Sequence, residues 1–279
     1  MVITYSITSP DLVPQRVHEE PNLYAASARL PQGAYTTFRT YHGNRLLRLE
    51  QHLKRLVETA ELMGMPGRID HEAARQALAE VMLQTGYAES RFRLTFSPPH
   101  LYASIEPFTP YPPEMVEQGV WCVTVTSRRD NPHAKSTAFI VSAGDTYKAL
   151  PPGAHEGLMV ASDGSILEGL SSNFFAVYNG VVHTEQERAL IGVTQTLVLE
   201  VSHRTLPELS YSTAAIGIND LPHIQECFIT SVSREVMPVI KVDNCEIGDG
   251  HPGPLTRRLI AALHDLIEAE ARSVFEPLA

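Results

Sequence analysis

The sequence predicts a mixed α/β protein in two lobes. Three observations carry that expectation. Apolar residues recur every second position in some stretches and at helical spacing in others, so strands and helices are both present. A proline-dense stretch, FTPYPPEMVEQG at 108–119, separates strand-like neighbours and reads as a linker. The chain has 279 residues, enough to bury one large core or two smaller ones. These place a small α/β domain at 1–112, a linker at 113–119 and a larger domain at 120–279.

The elements follow in order. Residues 1–32 carry several prolines and read as irregular. GAYTTFRTYHG (33–43) alternates and is rich in β-branched and aromatic residues, which predicts a strand ending at Gly43. Leu49, Leu53, Leu56, Val57, Ala60 and Met63 repeat at helical spacing from Arg48 to about Met65, and Ala74, Leu78, Val81 and Met82 do so over 71–86. RFRLTF (91–96) and LYASIEPF (101–108) predict a strand pair. Beyond the linker, VWCVTVTS (120–127), GLMVAS (157–162), NFFAVYNGVVHT (173–184) and QECFITSV (225–232) each read as one strand. Helices are expected after Lys135, over about 194–205, and from about Pro254 to Arg272.

Composition narrows the function classes. A net charge of −10 makes a nucleic-acid binder a poor candidate, because such affinity rests on Lys and Arg neutralising phosphates. No apolar run approaches the ~20 residues of a membrane span. The N-terminal MVITYSITSPDLVPQR lacks a basic segment followed by an apolar core, so no signal peptide is expected. Cys122, Cys227 and Cys245 form no CxxC pair and no disulfide framework; Cys122 and Cys227 lie in apolar runs as small buried hydrophobes. A cytoplasmic enzyme fits these features. The twelve histidines are scattered without ligand spacing, so no metal site is expected. Gly248, Gly250 and Gly253 spell GxGxxG, but too little chain follows to complete a dinucleotide-binding unit. They read as a turn into the last helix, with Pro254 near its first position.

The informative region is 133–175. Lys135 follows a strand and opens a helix, and Glu168 follows a strand and a Ser-Asp-Gly turn. Alone, such a lysine is usually a solvated surface residue and Glu-Gly is usually a turn. In order, however, HAKSTAF, SDGSILEGLSSNFFAVYNGVVHT and LIGVTQ resemble the core of class IV aminotransferases. That family includes branched-chain and D-amino-acid aminotransferases and aminodeoxychorismate lyase. GAYTTFRTYHGNRLLRLEQHLKRL resembles its entry, and FITSVSREVMPVIKVD and IGDGHPGPLTRRL resemble its close, so the likeness covers nearly everything after residue 32.

The resemblance implies a fold type IV protein with a small α/β N-terminal lobe, a larger barrel-like C-terminal lobe, a homodimeric assembly and pyridoxal phosphate as cofactor, held between the lobes. Lys135 matches the lysine that carries the cofactor and shuttles a proton from substrate Cα. Glu168 matches the carboxylate paired with the pyridine nitrogen. Arg55 in HLKRL matches the phosphate arginine, while His52 on the same helix reads as structural. Val193 and Thr194 sit where a helix begins, and its free amides favour a phosphate. Without the resemblance, Thr194 is a helix cap and Arg55 a surface charge. Ser231 and Val232 match a second phosphate turn, and the family's usual Thr is replaced by Val232. Asn173 joins the cofactor set. Phe139 stands where the family commonly has a tyrosine, and residues 1–32 lack the usual Gly-Asp-Gly lead-in.

Substrate contacts are expected from the first lobe. Tyr35, Thr37 and Arg39 alternate onto one strand face, and Arg91 and Arg93 onto another. Arginines in a cleft clamp carboxylates; a solvated edge strand is the competing reading. Branched-chain enzymes tend to read Tyr-x-Arg where this chain reads Arg91-x-Arg93. Ser233 completes the substrate set. These readings leave a transaminase acting on a branched-chain L- or D-amino acid and a 2-oxo acid such as 2-oxoglutarate, a lyase that eliminates pyruvate with the same lysine, and a non-catalytic binding protein on the same scaffold. Retention of both Lys135 and Glu168 argues against the last.

Overall fold

A computed structural model describes residues 1–7 and 13–278. The chain divides into two units, Met1–Thr109 with Ala134–Ser142 and Ile267–Ala279, and Pro110–His133 with Ala143–Leu266.

The first unit is built on β1 (Val2–Ser6), β2 (Gln15–Glu20), α1 (Leu23–Ala28), β3 (Ala34–Tyr41), β4 (Arg45–Leu46), α2 (Leu49–Leu62), α3 (His71–Thr85), β5 (Ser90–Ser97) and β6 (His100–Pro107). The expectation of an irregular 1–32 is corrected: the segment holds two strands and a helix. Its proline density concealed them, although Asn22 caps α1 by accepting from Ala25 N. Leu49, Leu53, Leu56 and Ala60 form the buried stripe of α2, as their spacing predicts. Asp70 caps α3 and Gly86 ends it at φ 61°, a left-handed position that suits glycine.

The first helix of the second unit is α4 (Pro113–Gln118), which lies over the stretch read as a linker. Pro113 occupies the first helical position, where its missing N–H costs nothing. In chain order there follow β7 (Val120–Val125), α5 (Thr137–Lys148), β8 (Glu156–Val160), β9 (Ser165–Gly169), β10 (Asn173–Tyr178), β11 (Val181–His183), α6 (Val193–Thr205), β12 (Ser210–Ser212), β13 (Ile216–Gly217), a 3₁₀ turn (Ile218–His223), β14 (Glu226–Ser231), β15 (Glu235–Val242), β16 (Cys245–Glu246) and α7 (Pro254–Glu270), and then β17 (Arg272–Ser273), which belongs to the first unit. The single strand expected over 173–184 is two strands, joined by Asn179 and Gly180 at φ 51° and 74°. Asn-Gly between apolar runs is a hairpin signal, and the positive φ at both positions is its reason. Gly248 and Gly250 also have positive φ and lead into α7 at Pro254, as the turn reading expected. Gly253 is required there because a Cβ would strike the Glu226 carboxyl, which caps α7 through the amides of Leu255 and Thr256.

The first unit carries a seven-stranded sheet in the order β17-β4-β3-β5-β6-β1-β2. In the second unit the pairings β10–β14, β14–β15, β15–β7, β7–β8, β8–β9 and β9–β10 return to their start, so six strands close into a ring. The barrel-like expectation for this lobe therefore holds. One sheet face packs Cys122, Leu158, Phe174, Ala176, Cys227, Ile229, Met237 and Val239 into a core. Phe175 and Phe228 stack at 4.8 Å elsewhere in the ring, an arrangement worth about 1 kcal/mol beyond its burial. Cys122 and Cys227 are buried as expected, and burial pushes both thiols up.

Candidate active site

In the first unit the backbone around Lys135 is tied to the start of β3. Tyr35 N donates to Lys135 O at 2.8 Å, Thr137 N to Gly33 O at 2.9 Å, and Gly33 N to Thr137 Oγ1 at 3.0 Å. Gly33 has no substitute here, because a Cβ would strike the carbonyl of Phe96. The Lys135 Nζ then lies 4.7 Å from the centre of the Tyr35 ring, and the Arg93 guanidinium lies 5.3 Å from that ring. Tyr35 is thus an aromatic surface shared by two cations.

Tyr35, Thr37 and Arg39 pair with Thr95, Arg93 and Arg91 across the β3–β5 ladder, so all five expected substrate residues of the first unit share one sheet face. Arg39 and Arg91 are directly opposed like charges. Arg39 lies 4.0 Å from the Tyr41 ring centre and 5.0 Å from that of Phe108, and Arg91 forms an ion pair with Glu106. Arg93 donates to Leu23 O and Ser27 Oγ at 2.9 and 2.8 Å. The N-terminal segment, given no role by sequence reading, therefore steadies Arg93 through α1.

Arg55 lies on the other side of β3. Its Nη2 donates to Thr36 Oγ1 at 2.8 Å, and Thr36 Oγ1 lies 2.8 Å from His52 Nδ1. Thr36 accepts from Arg55, so its own proton is free to go to His52 Nδ1, which requires the Nε2–H tautomer of a neutral ring. Burial first, then the charges of Arg55 and Lys135, hold His52 well below the usual histidine value of 6.5. Sequence reading set His52 aside as structural and missed Thr36, whose neighbours Tyr35 and Thr37 point the other way.

The sign of the pH effect follows. Below about 6.5 the unfolded chain takes up a proton that folded His52 refuses. Stability is therefore full above that value and declines as pH falls below it. His155, pushed down to about 4 by burial and by Arg234, adds a decline between about 6.5 and about 4. The urea midpoint is expected to fall with pH across this window, and more gently in His52→Gln. Identical slopes in both proteins would remove His52 from the account.

In the second unit, register brings two expected groups, Glu168 and Asn173, into one row with Thr230. Met159 pairs with Glu168, Glu168 with Asn173, Asn173 with Thr230 and Thr230 with Val236. Directly paired residues share a face, so Glu168, Asn173 and Thr230 stand side by side. A bulge between Met159 and Val160 adjoins Glu168, an irregularity of the kind that re-aims a side chain. Glu168 is 3% exposed and accepts from Arg129 Nε at 2.8 Å, with the Arg129 side chain 4% exposed. The guanidinium offsets the cost of burying the carboxylate. Asn173 Nδ2 donates to Leu190 O, and its Oδ1 fills the space where Gly192 would carry a Cβ. The loop so held leads directly into α6. Val193 and Thr194 are the first residues of that helix, with no preceding turn to supply carbonyls for their amides.

Ser231 and Glu235 close the β14–β15 hairpin, with Val232, Ser233 and Arg234 at its tip. Sequence reading missed Arg129, Thr230 and Arg234. An arginine in SRRD or SRE carries no local signal of its partner, because that partner comes from a distant strand. Among the described residues, no group of three or more His, Cys, Asp or Glu is arranged to hold a metal ion, and no helix is long and apolar enough to cross a membrane.

Comparison with known proteins gives a consistent picture. The amino-transferase class IV family model matches residues 33–242. The chain is 29% identical over 254 residues to a D-alanine aminotransferase of Bacillus licheniformis, covering 85% of this chain and 88% of that one. It is 27% identical over 268 residues to a branched-chain-amino-acid aminotransferase of Pseudomonas aeruginosa, covering 86% of each. Among solved structures, a T.th. branched-chain amino acid aminotransferase with pyridoxamine 5'-phosphate superposes with a TM-score of 0.80 at 21% identity over 98% of both chains. The branched-chain enzyme from Escherichia coli does so at 0.76 and 19%, covering 99% of this chain and 98% of that one. These structural likenesses establish a shared fold.

Proposed function

This chain belongs to the class IV aminotransferase family, and from that premise we propose that it exchanges an amino group between an amino acid and a 2-oxo acid such as 2-oxoglutarate, in a ping-pong cycle with Lys135 as the carrier of pyridoxal phosphate. Class IV aminotransferases use that cofactor. The observation that carries the residue assignment is the row Glu168–Asn173–Thr230. It joins a buried carboxylate to a buried Thr230 hydroxyl that has no hydrogen-bond partner among the described residues. An unmet buried hydroxyl in one row with a buried carboxylate suits a polar ring better than a sealed core.

The residues divide the work by chemistry. Glu168 holds a proton at the pyridine nitrogen. In the second unit the amides of Val193 and Thr194 and the Ser231–Val232 turn bind the phosphate, and Asn173 secures the loop before α6; for Arg55 of the first unit the family resemblance carries the phosphate role. Bound pyridoxal phosphate supplies a ring that accepts the electron pair left at substrate Cα when its proton departs. Lys135 Nζ moves that proton. Tyr35, Thr37, Arg39, Arg91, Arg93 and Ser233 are the substrate's neighbours. Arg91 already faces Glu106, so we take Arg93 as the partner of a substrate carboxylate.

The donor is proposed to be a branched-chain L-amino acid or a D-amino acid, in line with the names of the relatives. Those names do not favour the pyruvate-eliminating lyase. The proposal includes a homodimer, on the family resemblance, and a cytoplasmic location, supported by three cysteines that are all free thiols.

The test is the visible absorption of the purified holoenzyme, followed as single L- or D-amino acids are added without any oxo acid. Conversion of the bound cofactor to pyridoxamine phosphate is expected with one hand of amino acid, which names the donor. Conversion by none of them, with pyruvate released from an amino-chorismate substrate, would sink the transaminase.

A further inference from the structure

The second unit contains a buried ionic cluster that the proposed chemistry does not use. Glu156, on β8, is fully buried. Its Oε1 accepts from Tyr147 Oη at 2.6 Å and from Gly157 N at 3.1 Å. Its Oε2 accepts from Ser171 Oγ at 2.8 Å, Ser172 Oγ at 3.1 Å and Ser171 N at 3.3 Å. Arg234 supplies the counter-charge, with Nη1 3.4 Å from Oε2. Arg234 also donates from Nη1 to Ser171 Oγ and from Nε to His155 Nε2, both at 2.9 Å. Burial works against the Arg234 charge and Glu156 more than restores it, whereas His155 is held neutral and so accepts.

The topology gives this cluster its meaning. Ser171 and Ser172 form the turn between Glu168 and Asn173, the pair that joins β9 to β10. Arg234 sits at the tip of the Ser231–Glu235 hairpin. The next residue, Glu235, has φ 53°, a left-handed conformation that is strained for a non-glycine residue. Such a conformation persists only where the surroundings hold it. Arg234 on one side and the Glu235–His264 contact at 2.9 Å on the other provide that hold.

We propose that Arg234 is a positioning residue that locks the Ser231–Glu235 hairpin to the Ser171–Ser172 turn, so that the Ser231 and Val232 donors are fixed for the cofactor phosphate. This rests on the phosphate role given to that hairpin under the proposed function. The lock matters more in this chain because Val232 brings no hydroxyl, so the hairpin relies on its backbone.

Arg234→Met alone strands the Glu156 charge and endangers folding. The informative variant is therefore Arg234→Met with Glu156→Gln, which removes both charges while the new carboxamide keeps one acceptor oxygen, either for Tyr147 or for Ser171 and Ser172. Arg234→Lys, which keeps the charge and loses the fork to His155, serves as a second variant. Each apoprotein is titrated with pyridoxal phosphate and with pyridoxal, which lacks the phosphate, and its thermal midpoint is recorded. The expected result is binding of pyridoxal phosphate weakened about tenfold or more, the size of a loosened hydrogen bond to a charged group, with pyridoxal binding unchanged. Arg234→Lys should lie between. Wild-type affinity for pyridoxal phosphate in both variants overturns the proposal, and so does an equal loss for both ligands, which marks a general structural role. If the wild-type apoprotein binds no pyridoxal phosphate, the proposed function fails and this inference fails with it.

Discussion

Replacing Lys135 by alanine is expected to lower turnover by about 10⁴-fold, the upper range for loss of a positioned proton carrier, while the fold survives. The two effects differ in size for a structural reason. The backbone of Lys135 is held by Tyr35, and its neighbour Thr137 by Gly33, through main-chain atoms and the Thr137 hydroxyl. None of those bonds involves the lysine side chain. The contact of its Nζ with the Tyr35 ring is a cation–π interaction worth about 0.5–1 kcal/mol. A 10⁴-fold rate loss corresponds to about 5.5 kcal/mol in the barrier. The variant should therefore melt close to the wild type and yet be almost inert in a single-turnover assay. A small primary amine in the buffer should restore part of the rate, because the missing group is an amine. Substantial transamination by Lys135→Ala without added amine would refute the assignment.

Glu168→Gln carries two separable penalties. The first, on the proposed reading, is chemical: a carboxamide does not hold a proton on the pyridine nitrogen, and loss of one such electrostatic contact costs about 10²–10³-fold in rate. The second is structural. Arg129 Nε meets Glu168 Oε1 at 2.8 Å with both side chains almost fully buried. Removing one charge of a buried pair typically costs about 3–5 kcal/mol. Urea denaturation reads the second effect, and the deuterium isotope effect at substrate Cα reads the first. Proton removal should become slower and more fully rate-limiting in the variant. An unchanged isotope effect and rate would take Glu168 out of the mechanism, whatever happens to stability.

Much of this architecture was legible from local pattern. The helices α2 and α3 follow their apolar spacing, β3 its alternation, and β5, β6, β7 and α6 lie where the sequence places them. Where the pattern was weak, reading failed for identifiable reasons. Prolines masked β1, β2 and α1, and an unheeded Asn179-Gly180 turn hid the break between β10 and β11. Lys135 and Glu168 drew notice only through an ordered resemblance, since neither residue's neighbours announce chemistry. Arg129, Thr36, Thr230 and Arg234 were out of reach, because their surroundings are supplied by other elements of the fold and leave no local signal in the sequence. Glu168 and Asn173 lie five positions apart in the chain, but their pairing, and that of Asn173 with Thr230, exists only once the strands have closed.

That closure has a mechanical consequence. The six-stranded ring is joined between β9 and β10 through a single ladder pair, Glu168 with Asn173, and every other joint in the ring is wider. A narrow seam is where a closed sheet unzips at least cost. On the proposed reading the cofactor bears on Glu168 directly and on Asn173 through the loop it secures, and so acts as a rivet across the seam. Its binding free energy then adds to that of closure, and amide hydrogen exchange along β9 and β10 becomes a gauge of occupancy.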